Sequence, residues 1–160
     1  MKVKDLMSTN ITCINENTSV SQIAKQMRKE NVGSLPVCDD NGHLKGIVTD
    51  RDLVLRVLAK YYTANPDPAL ELSVENRDIS HMRSRDIMTL DPVTVSPDTN
   101  THDAALLFSA HKVRRLPVVE NSKIVGMLSL GDLAVKPICV DEAGDALSSI
   151  SLPDGLQAKN

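Results

Sequence analysis

Two short segments of the chain place a hydroxyl side chain three positions before a carboxylate. They are Thr49 with Asp52, and Ser129 with Asp132, 80 residues further along. In one interpretation the hydroxyl caps a helix and the aspartate returns a hydrogen bond to the cap, favoured by the positive end of the helix dipole. In the other, the carboxylate accepts hydrogen bonds from both hydroxyls of a ribose, while the Thr or Ser hydroxyl and free amides meet a phosphate. The spacing alone leaves both interpretations open.

The two segments belong to a longer internal repeat. Met7 and Met88 are 81 residues apart, whereas Gly46 and Gly126 are 80 apart. The second copy has therefore lost one residue between these anchors, and we predict that the loss falls in a surface turn. A repeat that survives through unlike side chains indicates a duplicated fold.

Each copy has the pattern of a strand, a helix, two strands and a helix. In the first copy Thr18 or Ser19 is expected to cap the first helix, and the second helix opens at Thr49 and runs to about Tyr62. Its apolar stripe is predicted at Leu53, Val54, Val57 and Leu58. The predicted strands are 11–14, 34–38 and 44–48 in the first copy, and 92–95, 115–119 and 124–128 in the second. In the second copy Asn100 caps the first helix, and Pro137 cuts the second one short.

These patterns divide the chain into four parts. Residues 1–64 form the first repeat, 65–83 a linker with room for one short helix, 84–136 the second repeat, and 137–160 a tail that can form a short helix. A half of about 55 residues exposes too much apolar surface to be stable alone. We therefore expect an α+β fold in which two β-α-β-β-α repeats pack about a pseudo-twofold axis.

The composition argues against several classes of function. The net charge is −3 with no long basic run, which disfavours nucleic-acid binding. No stretch approaches the ~20 apolar residues of a membrane span, and no leader segment is recognisable, so we expect a cytoplasmic protein. The three cysteines, Cys13, Cys38 and Cys139, are predicted to be reduced thiols. We also expect no metal site, and no catalytic set of nucleophile and base.

The doubled pattern resembles a tandem pair of CBS domains, known as a Bateman module. The features that carry the resemblance are the Met-Ser/Thr segments at Met7 and Met88, the Leu-Pro-Val strand at Pro36, and the Gly-h-h-Thr/Ser-x-x-Asp-Leu endings that begin at Gly46 and Gly126. The resemblance covers residues 3–60 and 84–135. It implies a stand-alone regulatory module that binds adenosine-containing ligands such as AMP, ATP or S-adenosylmethionine between its repeats. It also implies a homodimer that signals to an effector protein and has no catalysis of its own.

The resemblance further implies two nucleotide-binding clefts, each combining residues of both repeats. The first would be formed by Thr49, Asp52, Met88, Asp91, Val93, Val113, Arg114 and Arg115. The second would be formed by Ser129, Asp132, Met7, Asn10, Thr12, Val32 and Gly33.

The two clefts are not expected to be equivalent. Arg114 and Arg115 correspond to Gly33 and Ser34 in the first copy, so only the first cleft would have guanidinium groups within reach of a phosphate. We therefore expect the first cleft to prefer a phosphorylated nucleotide. The alternative function is a ligand-independent scaffold for dimerisation or protein interaction, against which the paired aspartates argue.

Overall fold

The computed structural model describes residues 1–60 and 77–153, and within it the chain divides into two compact units. Unit 1 consists of Met1–Ile11 and Val93–Asn160, and unit 2 of Thr12–Pro92. Tyr62, most of the predicted linker and the end of the tail lie outside the described residues. The repeat boundaries taken from the sequence remain a prediction.

Unit 2 contains a three-stranded antiparallel sheet with helices. Its elements are α1 (Val20–Glu30), β1 (Ser34–Cys38), β2 (Leu44–Thr49), α2 (Asp50–Asp52), a π-helical continuation of α2 (Leu53–Leu58), α3 (Arg77–His81), α4 (Ser84–Ile87) and β3 (Thr89–Leu90). The strand order is β1-β2-β3. The short helix predicted within 65–83 corresponds to α3.

Unit 1 repeats this plan around a two-stranded antiparallel sheet. Its elements are a 3₁₀ turn (Val3–Asp5), α5 (Thr101–His111), β4 (Arg115–Glu120), β5 (Lys123–Ser129), α6 (Leu130–Ala134), a second 3₁₀ turn (Pro137–Cys139) and α7 (Val140–Ser151). Pro137 begins the turn that follows α6. The tail helix is longer than the predicted short helix and buries Ala143 and Ala146. The α+β class with two related repeats is thus confirmed.

Both predicted first helices begin at their expected caps. The Gln22 amide donates to Ser19 Oγ at 3.2 Å, which selects Ser19 over Thr18. The His102 amide donates to Asn100 Oδ1 at 2.9 Å. These bonds satisfy amides that would otherwise lack a partner at the helix start.

The residue missing from the second copy falls in the predicted hairpin turn. In the first hairpin Cys38 pairs with Leu44, whereas in the second Val119 pairs with Ile124, so the second turn is one residue shorter. It turns through Asn121 and Ser122, whose φ angles are 50° and 64°. Successive positive φ angles suit the twist of a tight hairpin.

The first strand of each copy is shorter than predicted. Only Ile14 bridges β1, in parallel to Val37, and only Val95 bridges β4, in parallel to Val118. In a parallel ladder the next bond toward the N-terminus would need the Pro36 nitrogen as donor in the first copy, and the Pro117 nitrogen in the second. Because proline has no N–H, the ladder stops after one residue.

The opening segment of the chain packs in unit 1, with the second repeat. Ser8 and Met127 exchange two backbone hydrogen bonds of 2.9 Å, and the Val3 amide donates to the Thr99 carbonyl at 2.9 Å. The corresponding segment before the second repeat packs in unit 2, where β3 pairs with β2. The compact units therefore exchange the opening segments of the sequence repeats.

Each unit has its own largely aliphatic core, in a chain with one phenylalanine, two tyrosines and no tryptophan. The buried residues of unit 2 include Ile23, Leu35 and Val48, which are at most 1% exposed. Those of unit 1 surround Phe108, which is fully buried. Because these cores are close-packed, they give a rigid support to the two sheets and to the helices that follow them.

The predicted apolar stripe of the second helix is only partly correct. Val57 is buried and Leu53 is partly buried, but Val54 and Leu58 are 52% and 45% exposed. The cause is the π-helical winding of Leu53–Leu58, in which the Ala59 amide donates to the Val54 carbonyl, five residues back. A π-helix has more residues per turn than the 3.6 of the α-helix assumed for the stripe, so the side chains point in different directions from those predicted.

Candidate functional site

The first hydroxyl–carboxylate pair lies where β2 ends and α2 begins. The Thr49 amide donates to Asp52 Oδ2 at 2.8 Å, and the Asp52 amide donates to Thr49 Oγ1 at 3.3 Å. The Thr49 hydroxyl also donates to Asp52 Oδ2, at 3.0 Å. The capping interpretation is therefore true of this pair, and it fixes the carboxylate at the start of the helix.

The second pair repeats this geometry between β5 and α6. The Ser129 amide donates to Asp132 Oδ2 at 2.7 Å, and the Asp132 amide donates to Ser129 Oγ at 3.2 Å. In both copies one carboxylate oxygen is held by the cap. The other oxygen, Oδ1, is the atom through which each aspartate can accept a further hydrogen bond.

The outer oxygens of the two aspartates differ in their surroundings. Arg56 lies one helical turn after Asp52, and its Nε is 3.4 Å from Asp52 Oδ1. The same guanidinium donates to the Ile87 carbonyl at 2.6 Å and to Thr89 Oγ1 at 3.4 Å. Lys136 occupies the corresponding position in the second copy, and within residues 1–60 and 77–153 Asp132 has no such cationic partner.

Arg56 is a site residue that the sequence prediction missed. The signal was present, because an aspartate and an arginine four residues apart on a helix are neighbours. The prediction placed the difference between the copies at Arg114 and Arg115, while the structure adds a difference at Arg56 and Lys136. The first aspartate is held on both oxygens and the second on one.

Replacing Arg56 by Gln is expected to lower the free energy of unfolding by about 1–2 kcal/mol. The change removes one charge-assisted hydrogen bond to a carbonyl and a half-exposed ion pair, which contributes little by itself. Urea unfolding followed by circular dichroism measures the loss. Lys136→Gln is the matched control and should change stability by less than about 0.5 kcal/mol. Equal losses in the two variants would contradict the role given to Arg56.

Two glycines allow the exchanged methionines to approach the central strands. A Cβ at Gly46 would lie 2.8 Å from Met88 Sδ and 2.8 Å from the Thr89 carbonyl oxygen. A Cβ at Gly126 would lie 2.7 Å from Met7 Sδ and 3.0 Å from the Ser8 carbonyl oxygen. The Met-Ser/Thr segment of each repeat is thus anchored on the strand that leads to the capped aspartate of the other repeat's unit.

Asp91 follows β3 in unit 2, near the same strand. Its amide donates to the Lys45 carbonyl at 3.3 Å, and its φ angle is 44°. In unit 1 the corresponding segment continues past Met7 to Asn10, which is exposed. Thr49, Asp52, Met88 and Asp91 therefore belong to unit 2, and Ser129, Asp132, Met7 and Asn10 belong to unit 1.

In each unit, the loop between the first helix and the first strand of the hairpin contacts the residue after the capping Thr or Ser. The Asp50 amide donates to the Gly33 carbonyl at 3.0 Å, and the Leu130 amide donates to the Arg114 carbonyl at 3.0 Å. Gly33 and Arg114 thus lie beside α2 and α6 respectively. The remaining predicted residues divide between the units, with Thr12 and Val32 in unit 2 and Val93, Val113 and Arg115 in unit 1.

Each predicted cleft therefore takes members from both units. In the first set, the members in unit 2 are Thr49, Asp52, Met88 and Asp91. Those in unit 1 are Val93, Val113, Arg114 and Arg115. In the second set, the members in unit 1 are Ser129, Asp132, Met7 and Asn10. Those in unit 2 are Thr12, Val32 and Gly33. The structure groups the members within each unit, and the joining of the two groups remains a prediction.

The pattern of two capped aspartates in two related units agrees with comparison to known proteins. The family model described as CBS domain matches residues 3–59 and 85–138. The chain belongs to the CBS domain family. The CBS domain-containing protein YhcV of Bacillus subtilis is 35% identical over 149 residues, covering 93% of this chain and 94% of that protein.

Solved CBS structures show the same fold. The crystal structure of CBSX2 in complex with AMP is 30% identical, with a TM-score of 0.68, covering 88% of this chain and 98% of that one. A CBS domain pair in complex with 5′-methylthioadenosine and S-adenosyl-L-methionine is 25% identical, with a TM-score of 0.65, covering 84% of this chain and 97% of that one. CBS domain proteins are generally regulatory modules rather than enzymes.

Among residues 1–60 and 77–153, no group of three or more His, Cys, Asp and Glu side chains is placed to hold a metal ion. No helix in that part of the chain is long and apolar enough to cross a membrane.

Proposed function

We propose that this CBS protein is an adenine-nucleotide sensor, in which Asp52 and Asp132 each bind the ribose hydroxyls of an adenosine-containing ligand. The observation that carries the proposal is the doubled cap, which holds Oδ2 of each carboxylate at the start of a helix. Oδ1 of each aspartate is then the acceptor for the ribose hydroxyls, and in Asp52 it is shared with the Arg56 guanidinium. An aspartate in the first turn of a helix is a fixed, charged acceptor, which suits a pair of hydroxyl donors. The start of a helix also offers positive potential to a phosphate.

The ligands of the related structures support a nucleoside-centred site. AMP, 5′-methylthioadenosine and S-adenosyl-L-methionine differ in charge and in the group at the 5′ position, but all three contain adenine and a ribose with two hydroxyls. Their common part is the part that a capped aspartate can recognise. The group at the 5′ position is then bound by residues that differ between the copies. Among them, Arg114 and Arg115 are the proposed phosphate contacts.

We further propose a cytoplasmic homodimer that changes shape on binding and acts on an effector protein. Support for self-association comes from large apolar side chains that remain exposed in a single chain, among them Leu55 at 49% and Ile138 at 70%. A ligand can shift the shape of such a dimer only by binding its two states with different affinity. ATP is included among the candidate ligands.

The experiment that tests the proposal is a thermal-shift screen with AMP, ADP, ATP, NAD and S-adenosylmethionine. A ligand present at about one hundred times its dissociation constant stabilises the folded protein by about 2.7 kcal/mol. At least one adenosine ligand should raise the unfolding temperature, whereas GMP and CMP should raise it less. A flat response to every adenosine ligand would contradict the proposal and favour the scaffold function.

A further inference from the structure

Two cysteines that the proposed binding function does not use are brought together in unit 2. Ile14 forms a parallel bridge to Val37, held by backbone bonds from the Ile14 amide to the Pro36 carbonyl at 2.9 Å and from the Cys38 amide to the Ile14 carbonyl at 2.8 Å. This places Cys13 beside the chain that carries Cys38. Cys13 is exposed and Cys38 is buried.

The two cysteines lie next to the bridged residues, Cys13 before Ile14 and Cys38 after Val37. A hydrogen bond from the Cys38 thiol lowers the pKa of Cys13 to about 7, and burial opposes this shift. The same hydrogen bond, burial and the charges of the Cys13 thiolate and Asp39 raise the pKa of Cys38. The lowered pKa favours the thiolate of Cys13, and the thiolate is the nucleophilic form of cysteine.

We propose that Cys13 and Cys38 form a peroxide-reactive site that oxidises to an intramolecular disulfide. The oxidant is a hydroperoxide, which supplies the two-electron equivalent. The Cys13 thiolate attacks the hydroperoxide, a sulfur–oxygen bond forms, the oxygen–oxygen bond breaks, and the released alkoxide or hydroxide takes up a proton. Cys13 is then a sulfenic acid.

Cys38 completes the reaction. Once Cys13 carries no negative charge, the hydrogen bond and the charge that held the Cys38 proton are gone. The Cys38 sulfur attacks the sulfenic sulfur, the disulfide bond forms and the sulfur–oxygen bond breaks. The departing hydroxide leaves as water with the Cys38 proton, so one hydroperoxide is reduced and two thiols are oxidised.

The third cysteine provides an internal control. Cys139 is 2% exposed in unit 1, and its thiol donates to Thr101 Oγ1 at 3.7 Å. It belongs to unit 1, whereas Cys13 and Cys38 belong to unit 2. The second repeat also supplies replacement residues for the pair, since Thr94 corresponds to Cys13 and Val119 to Cys38.

The test treats the full-length protein with hydrogen peroxide, denatures it, alkylates it with N-ethylmaleimide and measures the intact mass. The reduced protein should carry three adducts and the oxidised protein one, on Cys139. Cys13→Thr should keep both of its thiols under the same dose. Cys38→Val should accumulate a sulfenic acid that dimedone traps on Cys13.

A second measurement stays informative if a variant folds poorly. The rate of Cys13 alkylation in the wild-type protein should rise with a midpoint near pH 7. Three adducts after peroxide, a midpoint near that of an ordinary thiol, or disulfides formed only between chains would each overturn the proposal. Equal oxidation of the Cys13→Thr variant and the wild type would overturn it as well.

Discussion

Gly46→Ala and Gly126→Ala are each expected to lower the free energy of unfolding by about 1–3 kcal/mol, because the added methyl group overpacks a buried strand. At Gly46 the new carbon meets both a methionine sulfur and the Thr89 carbonyl oxygen at 2.8 Å. The methionine can move, but the carbonyl belongs to a strand paired with β2. The opening segment must therefore shift away from the sheet.

The chain contains a matched control for this change. Gly144 lies within helix α7, and a Cβ there meets nothing within 4 Å. Gly144→Ala should stabilise the protein by about 0.5–1 kcal/mol, because alanine has the better helix propensity. Urea midpoints of the three variants measure the effect. Losses below about 0.5 kcal/mol at both Gly46 and Gly126 would show that the methionine segments do not pack as described.

Asp52→Asn and Asp132→Asn are each expected to weaken binding of AMP at their own site by about tenfold to a hundredfold. An uncharged amide loses the charge-assisted part of the hydrogen bonds to the ribose hydroxyls, about 1.5–3 kcal/mol. Equilibrium dialysis gives the affinity and the number of sites for each variant. Asp145→Asn, a change at an exposed position on α7, is the control and should bind as the wild type does.

A ligand without the hydroxyls separates this mechanism from a loss of structure. The 2′,3′-dideoxy form of AMP should bind weakly to the wild type and should not distinguish the wild type from either aspartate variant. If Asp52→Asn weakened the dideoxy ligand as much as AMP, the aspartate would act through the helix cap and not through the ribose.

Much of the fold could be predicted because local chemistry and tertiary packing agree. Ser19 and Asn100 are strong caps at the start of apolar-periodic segments, and the one-residue loss between the repeats falls in the turn where it was expected. At these positions the residue types leave few alternatives.

The departures come from interactions that a single segment does not contain. The first strands shorten because Pro36 and Pro117 lie in the neighbouring strand, and the apolar stripe of the second helix is disturbed by π-helical winding. The exchange of the opening segments could not be predicted from the pattern of one repeat. Its only trace is that Met7 and Met88 recur together with Gly46 and Gly126.

In the candidate site, too, the local features could be predicted and the features that depend on distant residues could not. The capped pairs could be predicted from four residues each, since a capping box is local. The spacing of Asp52 and Arg56 was a local signal, but the contacts of Arg56 with the Ile87 carbonyl and Thr89 lie more than 30 residues away in sequence and could not be predicted. The Cys13–Cys38 contact likewise depends on the pairing of Ile14 with Val37.

The most direct test of the central claim is a calorimetric titration of AMP into the wild-type protein and into the double variant Asp52→Asn/Asp132→Asn. Both proteins are first shown to unfold cooperatively in urea, so that a loss of binding is not a loss of fold. The two-site nucleoside account predicts saturable heat for the wild type and, for the double variant, binding weakened by about tenfold to a hundredfold at both sites. Undiminished binding of AMP by the double variant would contradict it.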